Sequence, residues 1–167
     1  MAGKCPGYPW PVGSPSLRFD IDWSIAVKQL IYRSQPFGFD RAMLAGILTR
    51  ARHNNRRDEI TGALICRHDL YLQLIEGPAD KIDALYARIL VDDRHCDVEL
   101  LLTDEVDQRM FPEWTMLDDV MPSLTWSPGE IADGAIEAAS PEAFRTIFHG
   151  VAETARRSVP MPATDTA

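Results

Sequence analysis

An α+β fold, with two helices packed on one face of a mixed sheet, is what this sequence predicts. Three observations carry the prediction. Short β-branched-rich or apolar runs bounded by turn residues read as strands, and two longer segments carry apolar residues at helical spacing. The segments follow one another as β-α-β-β-α-β, with an extra strand after them. That order is the split-βαβ, ferredoxin-like arrangement, in which both helices return to the same side of the sheet.

The first strand is Ile25 to Ser34 (IAVKQLIYRS), ended by Pro36 and Gly38. Asp40 can cap the next helix, AMLAGILTRARHN, where Met43, Ile47 and Ala51 line one face with Leu44 and Leu48 alongside. Asn54 and Asn55 close it, since such amides tolerate left-handed backbone. Ile60 to Cys66 and Leu70 to Glu76 form a hairpin across the polar turn Arg67, His68, Asp69. Gly77 and Pro78 break the second arm, and Pro78 suits the first turn of a helix. In Asp80 to Val91, Ile82, Leu85, Tyr86 and Ile89 recur at helical spacing. Asp97 to Thr103 is a further strand, and Met110 to Leu117 (MFPEWTML) a short last one, in which Pro112 marks an edge or an entry point. Two helices follow. Ser127-Pro128-Gly129-Glu130 and Ser140-Pro141-Glu142 each place Ser at the N-cap, Pro at the first helical position and an acid in the first turn. Their apolar faces run through Ile131, Ala135 and Ile136, then through Phe144, Ile147, Phe148 and Val151.

The chain divides into a Pro-rich irregular arm (1–23, with Pro6, Pro9, Pro11 and Pro15), a core domain (24–120), a C-terminal helical cap (121–158) and a frayed polar tail (159–167). A hydrophobic content of 46% and a charged content of 25% are those of an ordinary globular domain. The net charge of −8 argues against a nucleic-acid or anionic-membrane surface, which needs Lys and Arg. The cluster Arg50, Arg52, Arg56 and Arg57 reads as a solvated helix end complementing the dipole. Cys5, Cys66 and Cys96 are widely spaced with no CxxC, which suits a reducing compartment and neither a disulfide framework nor a zinc site. His53, His68, His95 and His149 show no i, i+4 pairing, so no metal is expected. The Pro- and Gly-rich start lacks the apolar core of a secretory signal, and no stretch approaches the ~20 apolar residues that cross a bilayer. A cytoplasmic location is the expectation.

Gln73 stands in the middle of the most apolar strand, and a buried amide left unpaired costs roughly 1–3 kcal/mol. Tyr32, Gln73 and Asn55 form the candidate polar set. The first and third strands are neighbours in this topology, so Tyr32 and Gln73 can face the helices together. The gap between the helices, lined by Ile47, Leu48, Ile82 and Leu85, then becomes a slot for a small molecule or cofactor. Taken singly, each residue has an ordinary explanation: a core Tyr, a solvent-facing Gln, a capping Asn, and core packing for Trp114 and Met116.

In combination, IYRS, HNNRRDEITGALI, YLQLIEGP, DDRH and FPEWTM resemble the BLUF family, the flavin-binding blue-light sensors, in order from about Ile25 to Leu117. The resemblance implies FAD held non-covalently, with its ring between the two helices. It further implies that Tyr32 is the photoactive tyrosine giving an electron to the excited flavin. Gln73 would be the switching glutamine and Asn55 the asparagine on the pyrimidine edge, while Trp114 and Met116 would be the W-x-M relay. Asp92, Arg94 and His95 match the D-x-R-H position, which makes Arg94 a flavin-edge or phosphate contact. Asn54 stands where related sequences often have His, another candidate contact. The cofactor-binding set is thus Tyr32, Asn54, Asn55, Gln73, Arg94 and His95, with no metal and no enzymatic activity.

Fifty residues of this sequence follow Leu117, too few for a cyclase or phosphodiesterase domain. Output is therefore expected to pass to a separate effector protein, such as a cyclic-di-GMP phosphodiesterase or a transcriptional regulator. The C-terminal helices are expected on the sheet face away from the flavin, and a homo-oligomer is expected because short helices leave apolar surface there. Two other readings stay open. An acylphosphatase-like hydrolase would use Arg33 with Asn54 or Asn55, although its Gly-rich anion loop is missing. The other is a ferredoxin-like interaction module without cofactor.

Overall fold

The computed structural model describes residues 26–36, 41–67, 70–92, 94–119, 130 and 133–158. The Pro-rich arm, the Asp40 cap, the turn residues His68 and Asp69, the Ser127-Pro128-Gly129 cap and the tail lie outside the described residues. The elements are β1 (Val27–Pro36), α1 (Arg41–Arg57), β2 (Thr61–Arg67), β3 (Leu70–Gly77), α2 (Ala79–Leu90), β4 (His95–Val106), β5 (Leu117–Asp119), α3 (Ala135–Ala138) and α4 (Pro141–Ser158). The strands form one sheet in the order β4-β1-β3-β2-β5. β1 pairs antiparallel with β3 and β4, β2 pairs antiparallel with β3, and β5 runs parallel to β2. This is the ferredoxin-like order expected from the sequence, with β1 and β3 adjacent at its centre.

Alternation along the strands sends successive residues to opposite faces, and each face carries its own core. On the front, Leu30, Tyr32, Tyr71 and Ile75 meet Leu48 of α1 with Ile82 and Ile89 of α2. On the back, Ile31, Leu72 and Leu74 meet Phe144, Phe148, Val151 and Ala152 of α4. Fully burying a side chain of this size contributes about 1.5–3 kcal/mol. Ala143 N donates to Ser140 Oγ at 3.3 Å, the N-cap that the Ser-Pro-acid signal implies.

Three sequence expectations change. MFPEWTML is not a strand: only Leu117–Asp119 pairs, against Ala63–Ile65, and residues 110–116 run as turns. The cause is that other groups satisfy this backbone. Met110 and Phe111 N–H donate to the Glu76 carboxylate, and Trp114 O accepts from Gly62 N at 3.0 Å. Thr115 and Met116 carbonyls accept from side chains of α1. Pro112 has no N–H to offer a ladder. Second, Asn54 and Asn55 do not end α1, which continues to Arg57; the left-handed residue after it is Glu59, with φ 56°. Third, the expected first C-terminal helix is interrupted: Glu130 is helical, residues 133–134 form a turn with Gly134 in left-handed backbone, and Ala135–Ala138 is a short separate helix, α3.

Gly62 is required for β2 to pair with β3 as it does. A Cβ there would lie 2.1 Å from the Leu74 carbonyl oxygen, so only glycine lets β2 and β3 meet at this point.

Candidate functional site

Tyr32 and Gln73 are direct cross-strand partners in the β1–β3 register, so both side chains rise from the same point on the front face. The Tyr32 hydroxyl donates to Gln73 Oε1. The other end of the amide, Nε2, donates to the Met116 sulfur at 3.3 Å. A thioether is a weak acceptor, so the amide N–H keeps donor capacity on the cavity side. Tyr32 is 1% exposed, and burial, reinforced by the charges of Tyr86 and Asp92, pushes its hydroxyl above the ordinary phenol value. It therefore keeps its proton at neutral pH.

Above this pair lies a cavity between α1 and α2. Ile47, Leu48, Leu85 and Ile89 make its apolar walls, while Asn54, Asn55, Arg94 and His95 reach it beside Tyr32, Gln73 and Met116. All six residues assigned to cofactor binding thus line one cavity. Of the four expected wall residues, Ile82 is instead packed beneath, fully buried in the front core, and Ile89 takes its place. Asn55 is buried, and its Nδ2 donates to Thr115 O at 2.8 Å, so the amide joins α1 to the segment entering β5. It is not a helix cap.

The two members of W-x-M part company. Met116 is buried at the cavity with its sulfur on Gln73. Trp114 packs with the back core, its ring edge-on to Phe111 at 6.3 Å. The basic cluster also divides. Arg56 and Arg57 are solvated as expected, but Arg52 Nε donates to Met116 O at 2.9 Å and Arg50 lines the cavity. Arg33 points away from the cavity and pairs with Glu99, so it is not brought to Asn54 or Asn55 as a hydrolase would need.

At the open side, Arg94 bonds Asp92 through its backbone N–H and its guanidinium. That pairing holds the Asp92 carboxyl down at about 2. His95 Nδ1 lies 2.9 Å from Ser34 Oγ, its ring set edge-on to Tyr32 and Tyr71. Burial lowers the His95 pKa, against the opposing charge of Asp92. Tyr71 and Ser34 were not anticipated as part of this site. Tyr71 shares the parity of Gln73 on β3, which would have identified it.

Residues 27–117 match the family described as sensors of blue-light using FAD. The chain belongs to the BLUF family. It is 38% identical over 77 residues to the photoactivated adenylate cyclase subunit beta of Euglena gracilis, covering 46% of this chain and 9% of that protein. The chain therefore spans only a small part of the curated relatives it matches. Among solved structures, the dark state of BlrB, a BLUF protein, is similar with a TM-score of 0.66 at 26% identity, covering 79% of this chain and 99% of that one. Klebsiella pneumoniae BlrP1 in a manganese/cy-diGMP complex is similar with a TM-score of 0.56 at 26% identity, covering 81% of this chain and 35% of that one.

As a BLUF domain the chain is a blue-light sensor that uses FAD. Its residues fit that cofactor. The facing aliphatic walls suit a flat ring, and the unspent Gln73 N–H suits a ring acceptor. Arg50, Arg88 and Arg94 are among the lining residues, a positive charge that suits a diphosphate, with Arg94 already held by Asp92. Among the described residues no helix is long and apolar enough to cross a membrane.

Proposed function

We propose that Tyr32 and Gln73 are the light-responsive pair of this sensor, and that Met116 and the C-terminal helix carry the change to a separate effector protein. Bound FAD supplies the blue-light absorption and an excited ring able to accept an electron. The supporting observation is the hydrogen bond from the Tyr32 hydroxyl to Gln73 Oε1, with the opposite end of the amide held only by the weakly accepting Met116 sulfur. A neutral phenol that gives up an electron becomes strongly acidic, and the Gln73 carbonyl is already hydrogen-bonded to the proton it would release. Gln73 has a donor end and an acceptor end, so turning the amide exchanges what it offers to Tyr32, to Met116 and to the cavity. The product is a conformation, and no substrate is consumed.

Asn54, Asn55, Arg94 and His95 complete the cofactor set in this reading, Asn55 at the ring edge and Arg94 at the phosphates. Trp114 and Met116 relay the change. The effector is a cyclic-di-GMP phosphodiesterase or a transcriptional regulator in the cytoplasm, met by a homo-oligomer of this chain. The similarity to BlrP1 and to a photoactivated cyclase supports an effector of the second-messenger class.

Replacing Tyr32 with Phe removes the hydroxyl while keeping the ring. The variant should remain yellow and lose the reversible red shift under blue light; a normal shift overturns the assignment.

A further inference from the structure

Glu76 lies three residues beyond Gln73 on β3 and is 0% exposed. Its parity puts it on the back face, away from the cavity. Both carboxylate oxygens are fully used. Oε1 accepts from Phe111 N at 2.6 Å and Thr61 Oγ1 at 3.1 Å. Oε2 accepts from Met110 N at 2.8 Å and Gln29 Nε2 at 2.9 Å. One side chain thus joins β1, β2 and β3 to the turn at 110–111. Arg109 closes the same turn, donating to Thr61 Oγ1, Glu76 O and Glu59 O.

The far side of that turn holds α4. Arg156 donates to Met110 O at 2.8 Å, and the Phe111 ring sits edge-on to Phe148 at 6.2 Å. Five residues further on, the same segment delivers Met116 to Gln73. The 110–116 segment therefore touches the switch residue at one end and the output helix at the other.

Resting on the light-sensor reading above, we propose that Glu76 is a positioning residue that clamps the Met110–Phe111 turn to the sheet, so that displacement of Met116 is delivered to α4 through Phe111 and Arg156. Hydrogen bonds to a carboxylate are shorter and roughly twice as strong as those between neutral groups. Two of the four, from Met110 N and Phe111 N, tie the turn to β3, and the other two tie that carboxylate to β1 and β2. With the clamp weakened, a shift at Met116 is absorbed inside the turn, and α4 no longer feels it.

Glu76→Gln tests this, because an amide in place of the carboxylate turns a donor toward donors that are already there. The full chain with FAD bound is followed by its absorption spectrum and by lit-minus-dark amide hydrogen exchange over α4. The variant should keep the red shift while the light-induced exchange change in α4 falls roughly 2- to 30-fold. Arg156→Met removes the donor on the α4 side of the link without touching the buried carboxylate and should give the same loss; Arg156→Lys, which retains a donor, should restore most of the response. If Glu76→Gln does not fold, the Arg156 pair decides alone. A wild-type response of α4 in the folded variants overturns the clamp. So does a wild-type chain whose spectrum shifts with no change at α4, and that result leaves the Tyr32–Gln73 pair standing. Absence of the spectral shift in the wild-type chain overturns both.

Discussion

Gln73 and Glu76 lie on one strand, three residues apart, and therefore on opposite faces of one sheet. On the back face the polar group is spent: four donors close on Glu76, and the rest of that core is aliphatic and aromatic. On the front face Gln73 bonds one strong partner, Tyr32, and one weak one, the Met116 sulfur. A saturated polar group fixes one geometry, whereas a partly satisfied amide has alternatives of similar energy. The difference teaches where to look for a switch. It is the polar group with capacity left over, provided a ligand can reach it.

Breaking the back face should give the largest loss of stability with the least change of colour. Phe148 is fully buried against Phe111, and truncation to Ala leaves a cavity costing about 3–5 kcal/mol. Urea unfolding of the Phe148→Ala variant should show that loss, while the flavin absorption of its folded fraction stays as in the wild type. A displaced flavin spectrum at unchanged stability would mean that the two faces are not separable.

The front face should answer in the opposite sense. Asn55 both lines the cavity and holds Thr115 O, so Asn55→Ala leaves a part-buried carbonyl without its donor. The cost is about 1–3 kcal/mol. Here colour should suffer beyond stability: FAD retention through gel filtration should drop, and so should the red shift of the molecules that keep it. Wild-type retention would remove Asn55 from the binding set.

Much of this contrast was legible from local pattern. Strand alternation, helical spacing and the Pro and Gly breaks act within a few residues, and they gave β1, α1, β2, β3 and α2 nearly as they stand. The Tyr32–Gln73 pair followed once topology made β1 and β3 neighbours. Glu76 did not follow, because an acid just before Gly77-Pro78 resembles a solvated strand end, and the N–H groups that hold it lie 34 and 35 residues away. The same long-range bonds explain the failed last strand: MFPEWTML has the composition of a strand, but its backbone groups are taken by Glu76, Gly62, Asn55 and Arg52. The place of Trp114 against the back core depends on the same tethering of that segment.

The smallest effect, and the sharpest test of the front face, is its dependence on pH. His95 sits between Ser34, Tyr32 and Tyr71, near Asp92 and Arg94, with burial holding its imidazole below the ordinary value of ~6.5. The unfolded chain therefore binds a proton that the folded chain refuses, and stability falls as pH drops from about 6.5 through the lower folded value. Asp92 loses its contribution far below this window, as pH falls through about 2, so the two do not overlap. Urea midpoints measured from pH 7 to pH 5 should decline for the wild type and decline less for His95→Gln, a neutral side chain that can still bond Ser34. Parallel slopes in the two proteins would show that His95 is protonated as readily in the fold as outside it, and would make the cavity wetter on that side than the packing of Tyr32 and Tyr71 around the ring implies.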